Sequence, residues 1–249
     1  IWLGLVVRGD FGESYVSKRP VLQMVWERLP ATVLLMGTAN AISLALAIPL
    51  GIFTAIKRNS LPDRLVTVIA FLGVSLPAFW FGLMMMYLFG VRLHLLPLGG
   101  MRTIGAEFSV VDVLRHLVMP AGVLAFIYTA FWMRFVRSSV LEVLRSDYVR
   151  TSRAKGLPGR IVLGRHVLRN ALLPIITLIG LSFPELVAGT VVIEAVFTWP
   201  GLGQLTLAAA TARDFTVVMA MVLIVSTAVI LGNLLADLAY RWADPRIRY

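Results

Sequence analysis

The residues of this chain that could do chemistry are few. Gly73-Val74-Ser75 and Gly180-Leu181-Ser182 each give G-x-S, the start of an intramembrane serine-hydrolase motif, but neither is followed by glycine. A serine nucleophile needs a base within hydrogen-bond reach, and the histidines, at 94, 116 and 166, fall outside the centres of the apolar stretches. The phosphate-binding pattern G-x-x-x-x-G-K-[ST] is absent. There is no cysteine, which excludes disulfides and thiolate metal sites. No catalytic residue and no metal site is therefore assigned. Two features remain. One is Glu185 in "LSFPELVAGTVVIEAVF", deep inside an apolar stretch. The other is the run "DYVRTSRAKGLPGRIVLGRHVLRNALLP", at the centre of nine Lys or Arg between Arg134 and Arg169.

The elements that carry these residues follow from composition. With 59% hydrophobic and 14% charged residues, the chain has too little polar surface for a soluble domain of 249 residues. About 20 apolar residues at 1.5 Å rise cross roughly 30 Å of hydrocarbon. Five stretches are long enough: Leu29–Ile56, Leu65–Phe89, Leu117–Met133, Leu172–Phe197 and Phe215–Ala239. The fold class is all-α, a polytopic transmembrane helical bundle of five spans. Residues 1–28 form an external segment, 29–239 the transmembrane domain with a loop at 134–170, and 240–249 a tail.

The net charge of +10 would suggest nucleic acid in a soluble protein. Here the positive-inside rule accounts for it. The connections Lys57–Arg64, Arg134–Arg169 and Tyr240–Tyr249 together hold 15 Lys or Arg, whereas Ile1–Arg28, Gly90–His116 and Thr198–Asp214 hold 8. The first set is cytoplasmic on this count, which places the C-terminus inside and residues 1–28 outside. No nucleic-acid partner is expected. A front end that lies outside implies a further, sixth span ahead of the segment given.

Pro49, Pro77, Pro120, Pro174 and Pro184 interrupt the spans, tolerated in a membrane where neighbouring groups satisfy the freed carbonyls. Gly37, Ala41 and Ala45 recur at spacing four, and Ala188, Gly189 and Ala195 are close together, so helices can approach closely there. "RPVLQMVWERLP" places Pro20 at the start of a short helix on the outer surface. After the fourth span comes "TWPGLGQLTLAAATARDF". Trp199 suits the membrane interface, Pro200-Gly201 marks a turn, and Gln204–Thr211 can form a short helix.

The basic run has internal order. Leu141, Leu144, Tyr148 and Thr151 follow 3-4-3 spacing, one face of a helix. Ser139 and Glu142 fit a capping box unless the third span runs on through them. Gly156 followed by Pro158 is a stop signal, and a second helix starts near Gly159. This is a helix–turn–helix excursion. A contact with anionic lipid would explain its charge, but a glycine-terminated helix with an apolar stripe favours docking to a cytoplasmic partner.

"DYVRTSRAKGL", "HVLRNALLP", "AVFTWPGLG" and "DPRIRY", with "ERLPATVLL" and "SLPAFWFG", resemble the membrane permease of bacterial ABC importers of the dipeptide/oligopeptide/nickel class. The resemblance runs from about Gly9 to Tyr249. It implies a permease in the bacterial inner membrane, paired with a second homologous permease and two ATPase subunits, and served by an external binding protein. ATP and magnesium would sit on the partner ATPase. It also implies that the excursion is a coupling helix, with Asp147, Tyr148, Ala154 and Gly156 as the ATPase-coupling residues. Trp199, Pro200, Gly201 and Gly203 are the outer-loop candidates. Where the family pattern has Glu-Ala-Ala ahead of the glycine, this chain has Arg150, Thr151 and Ser152.

Two rival readings have their own markers. An intramembrane hydrolase would need a base beside Ser75 or Ser182. An ion-driven secondary transporter places ionisable groups near the midplane, where Glu185 alone qualifies; Glu194, nine residues on, falls near the outer interface. Glu185 either hydrogen-bonds to a neighbouring helix or lines a pathway for cationic solutes. Dipeptides, longer peptides and nickel chelates all remain open as substrates.

Overall fold

The computed structural model describes residues 2–172, 175 and 190–243. Among these the chain is mostly helical and has no β-strand; one antiparallel bridge pairs Glu13 with Pro20. A short helix, α1 (Trp2–Val6), precedes α2 (Val21–Ile56). Pro20 does stand at a helix start, but the helix is not a short surface element: it continues unbroken through Pro30 and Pro49. Next come α3 (Leu61–Ser75), α4 (Ala78–Met85) with a π-helical extension Met86–Arg92, and α5 (Val110–Leu144). The excursion holds α6 (Asp147–Ala154), α7 (Gly159–Ile161), a π-helical stretch Val162–Leu168, and α8 (Arg169–Ala171). The last elements are α9 (Val191–Val196), α10 (Leu202–Thr211) and α11 (Phe215–Ala243).

Among the described residues, three helices are long and apolar enough to cross a membrane: Val21–Ile56, Val110–Leu144 and the Phe215–Leu235 part of α11. The second expected span is not one straight helix. Leu61–Ser75 and Ala78–Arg92 meet at a bend of 103°. Pro77 is the cause, because proline disfavours the helical region for the residue before it; Leu76 sits at φ −81°, ψ 131° and closes α3. Counted as one, the bent pair makes a fourth span. Most of Leu172–Phe197, with Pro174, Pro184, Glu185, Ser182, Ala188 and Gly189, lies outside the described residues.

The chain forms two compact units, Ile1–Ala39 with Pro77–Leu124 and Phe183–Asn233, and Asn40–Leu76 with Ala125–Ser182 and Leu234–Tyr249. In the first, Val21 and Val25 of α2 pack with Leu202, Leu205, Val217 and Met221. In the second, Ala55 packs with Val136, Val140, Val149, Val162 and Val167. Along α2 the buried positions recur every fourth residue: Ala31, Leu35, Ala39, Ser43, Ala47, Gly51 and Ala55. That seam is displaced from the expected one, since Ala41 and Ala45 are exposed and Gly37 has open space around it. Gly51 is the tight point. A Cβ there would stand 2.6 Å from Val136 Cβ, so α5 can pack this close only against glycine.

Candidate functional site

The excursion begins where α5 ends. Ser139 does not cap a new helix, because α5 runs on to Leu144; its hydroxyl donates instead to the Ala171 carbonyl at 2.7 Å. The chain turns through Arg145 and Ser146, with Ser146 N–H donating to Val143 O at 3.1 Å. The Ser146 carbonyl then accepts from Val149 N and Arg150 N, both at 3.2 Å, and α6 starts. Asp147 in the first turn complements the positive end of the helix. The break at residues 145–146 shifts the helical register, so the expected stripe is not continuous. Val149 is the residue of α6 that enters the core, at 0% exposure, whereas Tyr148 and Thr151 are exposed. Tyr148 is tied down at its tip, where its hydroxyl accepts from Asn170 Nδ2 at 3.1 Å.

Gly156 closes α6 as its position before Pro158 suggests. Its φ is +77°, and Leu157 N–H reaches back to Ser152 O at 3.3 Å, the six-to-one bond of a Schellman motif. Nothing stands within 4 Å of where a Cβ on Gly156 would be, so its backbone angle and not crowding calls for glycine. Asp147, Tyr148, Ala154 and Gly156 are all exposed, together with Arg150, Lys155 and Arg160. The first helix of the excursion, α6, is thus held to the core through Val149 and leaves Asp147, Tyr148, Arg150, Thr151 and Ala154 exposed.

The Trp-Pro-Gly loop is built in the opposite way. Thr190 opens α9, its Oγ1 accepting from Ile193 N at 3.4 Å. The chain leaves α9 through Thr198 at φ +47°, a rare conformation for a β-branched residue. Two bonds brace that turn: Gly100 N–H donates to Phe197 O at 2.8 Å and to Thr198 Oγ1 at 3.0 Å. Trp199 is packed inside the protein and presents no face outward. It is 0% exposed, and its Nε1 donates to the Ala31 carbonyl at 2.8 Å.

Glu194 is the hub of this loop, and the sequence reading missed it by placing it in the wetter outer zone. It is 0% exposed. Oε1 accepts from Thr32 Oγ1 at 3.0 Å, Oε2 accepts from Gln204 N at 3.0 Å, and Thr32 Oγ1 itself accepts from Leu202 N at 2.7 Å. A carboxylate from α9 thereby meets the positive N-terminus of α10, where orphan N–H groups point outward. Gly201 and Gly203 fit around it. A Cβ on Gly201 would run into the Glu194 carboxyl and Thr32 Oγ1, and one on Gly203 would lie 2.8 Å from Val191 backbone. The signal available in the sequence was a carboxylate eight residues ahead of a glycine-flanked helix start.

A second carboxylate anchors residues 1–28. Asp214 is 3% exposed and accepts from Ser14 Oγ, from Tyr15 N at 3.2 Å, from Val16 N at 3.4 Å and from Val217 N at 3.4 Å. Burial alone would raise its pKa, but the hydrogen bonds from Ser14, Tyr15, Val217 and Val16 outweigh it and hold the carboxyl below its usual range. Glu185 lies outside the described residues, so its surroundings add nothing to either reading of it. Of the histidines, His116 has its Nδ1 2.8 Å from the Asp112 carbonyl, a local contact within α5.

Residues 47–249 match the family described as the binding-protein-dependent transport system inner membrane component. The chain is 46% identical to the oligopeptide transport system permease protein AppB of Bacillus subtilis (strain 168), over 100% of this chain and 79% of that protein. It is 39% identical to the dipeptide transport system permease protein DppB of Escherichia coli (strain K12), over 98% of this chain and 78% of that protein. Among solved structures, an inward-facing MetNI methionine ABC transporter aligns with TM-score 0.71 and 17% identity, over 90% of this chain and 97% of the other, a likeness of fold. The exposed glycine-ended excursion and the buried Trp-Pro-Gly loop thus sit in a chain that belongs to the family of binding-protein-dependent transport system inner membrane components.

Proposed function

We propose that this chain is the permease subunit of an ATP-driven importer of peptides, working with a second permease, two ATP-binding subunits and an external binding protein. The observation that carries the coupling part is α6: a membrane-family chain presents a short helix with Asp147, Tyr148, Ala154 and Gly156 exposed and its end set by a left-handed glycine. Such a rigid, surface-borne helix suits a cleft in an ATPase subunit. Closure of two ATPase subunits on ATP and magnesium then moves the helices as bodies and switches the side to which the pathway opens. Peptides are the substrate class because several curated relatives are named for oligopeptide, dipeptide and D,D-dipeptide transport. Trp199, Pro200, Gly201 and Gly203 hold the shape of the outer loop, and Glu185 is a pathway candidate for cationic parts of the peptide. The ion-coupled alternative has no support in the comparisons.

Because the chain has no cysteine, single replacements test this directly. Ala154→Cys, treated with a short thiol-to-amine bifunctional reagent that alkylates the thiol and acylates a partner lysine, should join to an ATP-binding subunit in the assembled importer; no such product from a cysteine at any of the residues 147–156 would overturn the docking role. For orientation, Ile104→Cys, at a fully exposed position, should label with an impermeant reagent in intact cells. Gly159→Cys, with open space around it, should not. The reverse pattern would invert the topology.

A further inference from the structure

Within the second unit, α3 and α5 enclose a cavity of about 250 Å³ that neither coupling nor the Trp-Pro-Gly loop uses. Ala70, Phe71 and Val74 line it from α3, and Met133, Arg134 and Arg137 from α5. On both helices these positions repeat at three and four, so the cavity is a groove running along the helices. Its ends differ. At one end Arg137 donates from Nη1 to Thr67 Oγ1 at 3.3 Å and from Nη2 to Asp63 at 3.0 Å. Toward the other end the groove is apolar, past Val74 and Ala130, and Phe71 and Val74 are 61% and 59% exposed.

The charge at the polar end is unbalanced. Asp63 is buried and answers Arg137, accepting also from Asn59 N at 2.8 Å and Thr67 Oγ1 at 3.4 Å. Arg134, exposed, makes no hydrogen bond or ion pair among the described residues. Arg137 Nε is buried and has no acceptor among them. A buried N–H without an acceptor is unusual, and guanidinium groups match phosphate oxygens well. The apolar remainder calls for hydrocarbon. The cavity is also smaller than the roughly 300–1,000 Å³ that encloses a whole small ligand, so it holds part of a molecule whose remainder lies outside. A free phosphate would leave the apolar wall uncovered. A helix of another subunit would cover the wall and leave Arg134 unanswered.

We propose that this groove is a binding site for an anionic phospholipid, the phosphate taken by Arg134 beside the partly exposed Arg137 side chain and one acyl chain laid along Phe71 and Val74. The site needs only that α3 and α5 belong to an inner-membrane protein, not which way they cross, and it goes beyond the transport reading.

The test uses the full importer in nanodiscs of mixed phosphatidylglycerol and phosphatidylcholine, with native mass spectrometry to count phospholipid kept through delipidation. Phosphatidylglycerol should be retained in preference. Arg134→Gln should lower its retention about tenfold, the worth of one charge-assisted hydrogen bond, while Arg134→Lys keeps most of it. Ala70→Trp, which fills the groove and leaves both arginines, should also abolish retention. A photoreactive benzoylphenylalanine at Phe71 should gain the mass of a phospholipid, and this arm decides even where Ala70→Trp does not assemble. Equal retention of the two lipids, unchanged retention in Arg134→Gln, or a Phe71 adduct with another permease subunit would each overturn the site. Co-purification of ATP-binding subunits reports separately on the transport reading.

Discussion

The Trp-Pro-Gly loop and the basic excursion both carry glycines where the chain turns, and the two sets are there for different reasons. Gly201 has an ordinary φ of −101° and no room for a methyl group. Gly156 has room on every side and a φ of +77°. The first region is governed by packing around a buried carboxylate, the second by backbone conformation on an open surface. Packed regions lose stability steeply when an atom is added or a partner removed. An exposed turn loses at most its local conformational preference. The loop is therefore brittle in stability and the excursion tolerant of change; under the proposed docking role, substitutions in the excursion act on coupling instead.

The strongest way to break this contrast is Glu194→Ala. It strands the Gln204 N–H and the Thr32 hydroxyl in a buried site, at about 1–3 kcal/mol for each unsatisfied group. The purified importer should lose several kcal/mol and unfold at clearly lower temperature. An unchanged unfolding midpoint would mean that Glu194 is not the hub. Gly201→Ala comes next. Its methyl displaces the same carboxylate and should cost about 1–3 kcal/mol by overpacking; in a Glu194→Ala background, where the obstructing carboxyl is gone, part of that cost should disappear.

Asp214 extends the brittle region to residues 1–28 and gives it a pH dependence. Its folded pKa lies below the unfolded value of 3.8, so its contribution is fully present above that value and is lost as pH falls through the folded pKa. Asp214→Asn removes that dependence. Wild type should be the more stable of the two at neutral pH, by about 1–2 kcal/mol for charged hydrogen bonds. The gap in denaturant midpoint should close below pH about 4. A gap that stays constant down to pH 2 would show that the carboxylate's charge plays no part.

In the excursion the expected stability effects are smaller. Gly156→Ala and Gly156→Val place a Cβ at positive φ, costing about 1–2 kcal/mol locally, with valine the worse. Gly156→Asn should be nearly neutral, because asparagine visits that region readily. Peptide-stimulated ATP hydrolysis should follow the same order, lowest for valine and near normal for asparagine. Binding of the external protein should stay intact in all three. If valine and asparagine behave alike, the left-handed angle is not what matters at Gly156.

What the sequence made legible follows the same division. The glycine stop at residue 156, the helix start at Pro20 and the short helix ahead of Arg213 are local signals, set by a few neighbouring residues, and the structure carries each of them, although the helix from Pro20 runs on to Ile56. The burial of Trp199 and Glu194 depends on Ala31 and Thr32, some 160 residues away in the chain. Hydropathy along one segment has no access to such a partner and points only to where a tryptophan and a glutamate lie along a span, not to what they bury against. The tilt of the seam on α2 is a similar case: small residues at spacing four mark a possible contact, and only the opposing Val136 decides which row is used. The break at Pro77 is a local signal again, since proline acts on the residue just before it.

The gentlest test of the contrast is Tyr148→Phe. Tyr148 is 43% exposed, and its hydroxyl accepts one hydrogen bond from Asn170, itself exposed. In a solvated pair, water replaces either partner at little cost, so the change in stability should stay within about 0.5 kcal/mol. The ring still covers the same surface of α6, and Val149 still fixes the helix to its core. Two outcomes then separate. If the docking cleft takes only the aromatic face, Tyr148→Phe leaves stimulated ATP hydrolysis and crosslinking at Ala154 unchanged. If the hydroxyl orients α6 through Asn170, Tyr148→Phe and Asn170→Ala should each weaken coupling, and the double variant should be no worse than either alone. A loss of folding stability above 1 kcal/mol in Tyr148→Phe would contradict the tolerant half of the comparison.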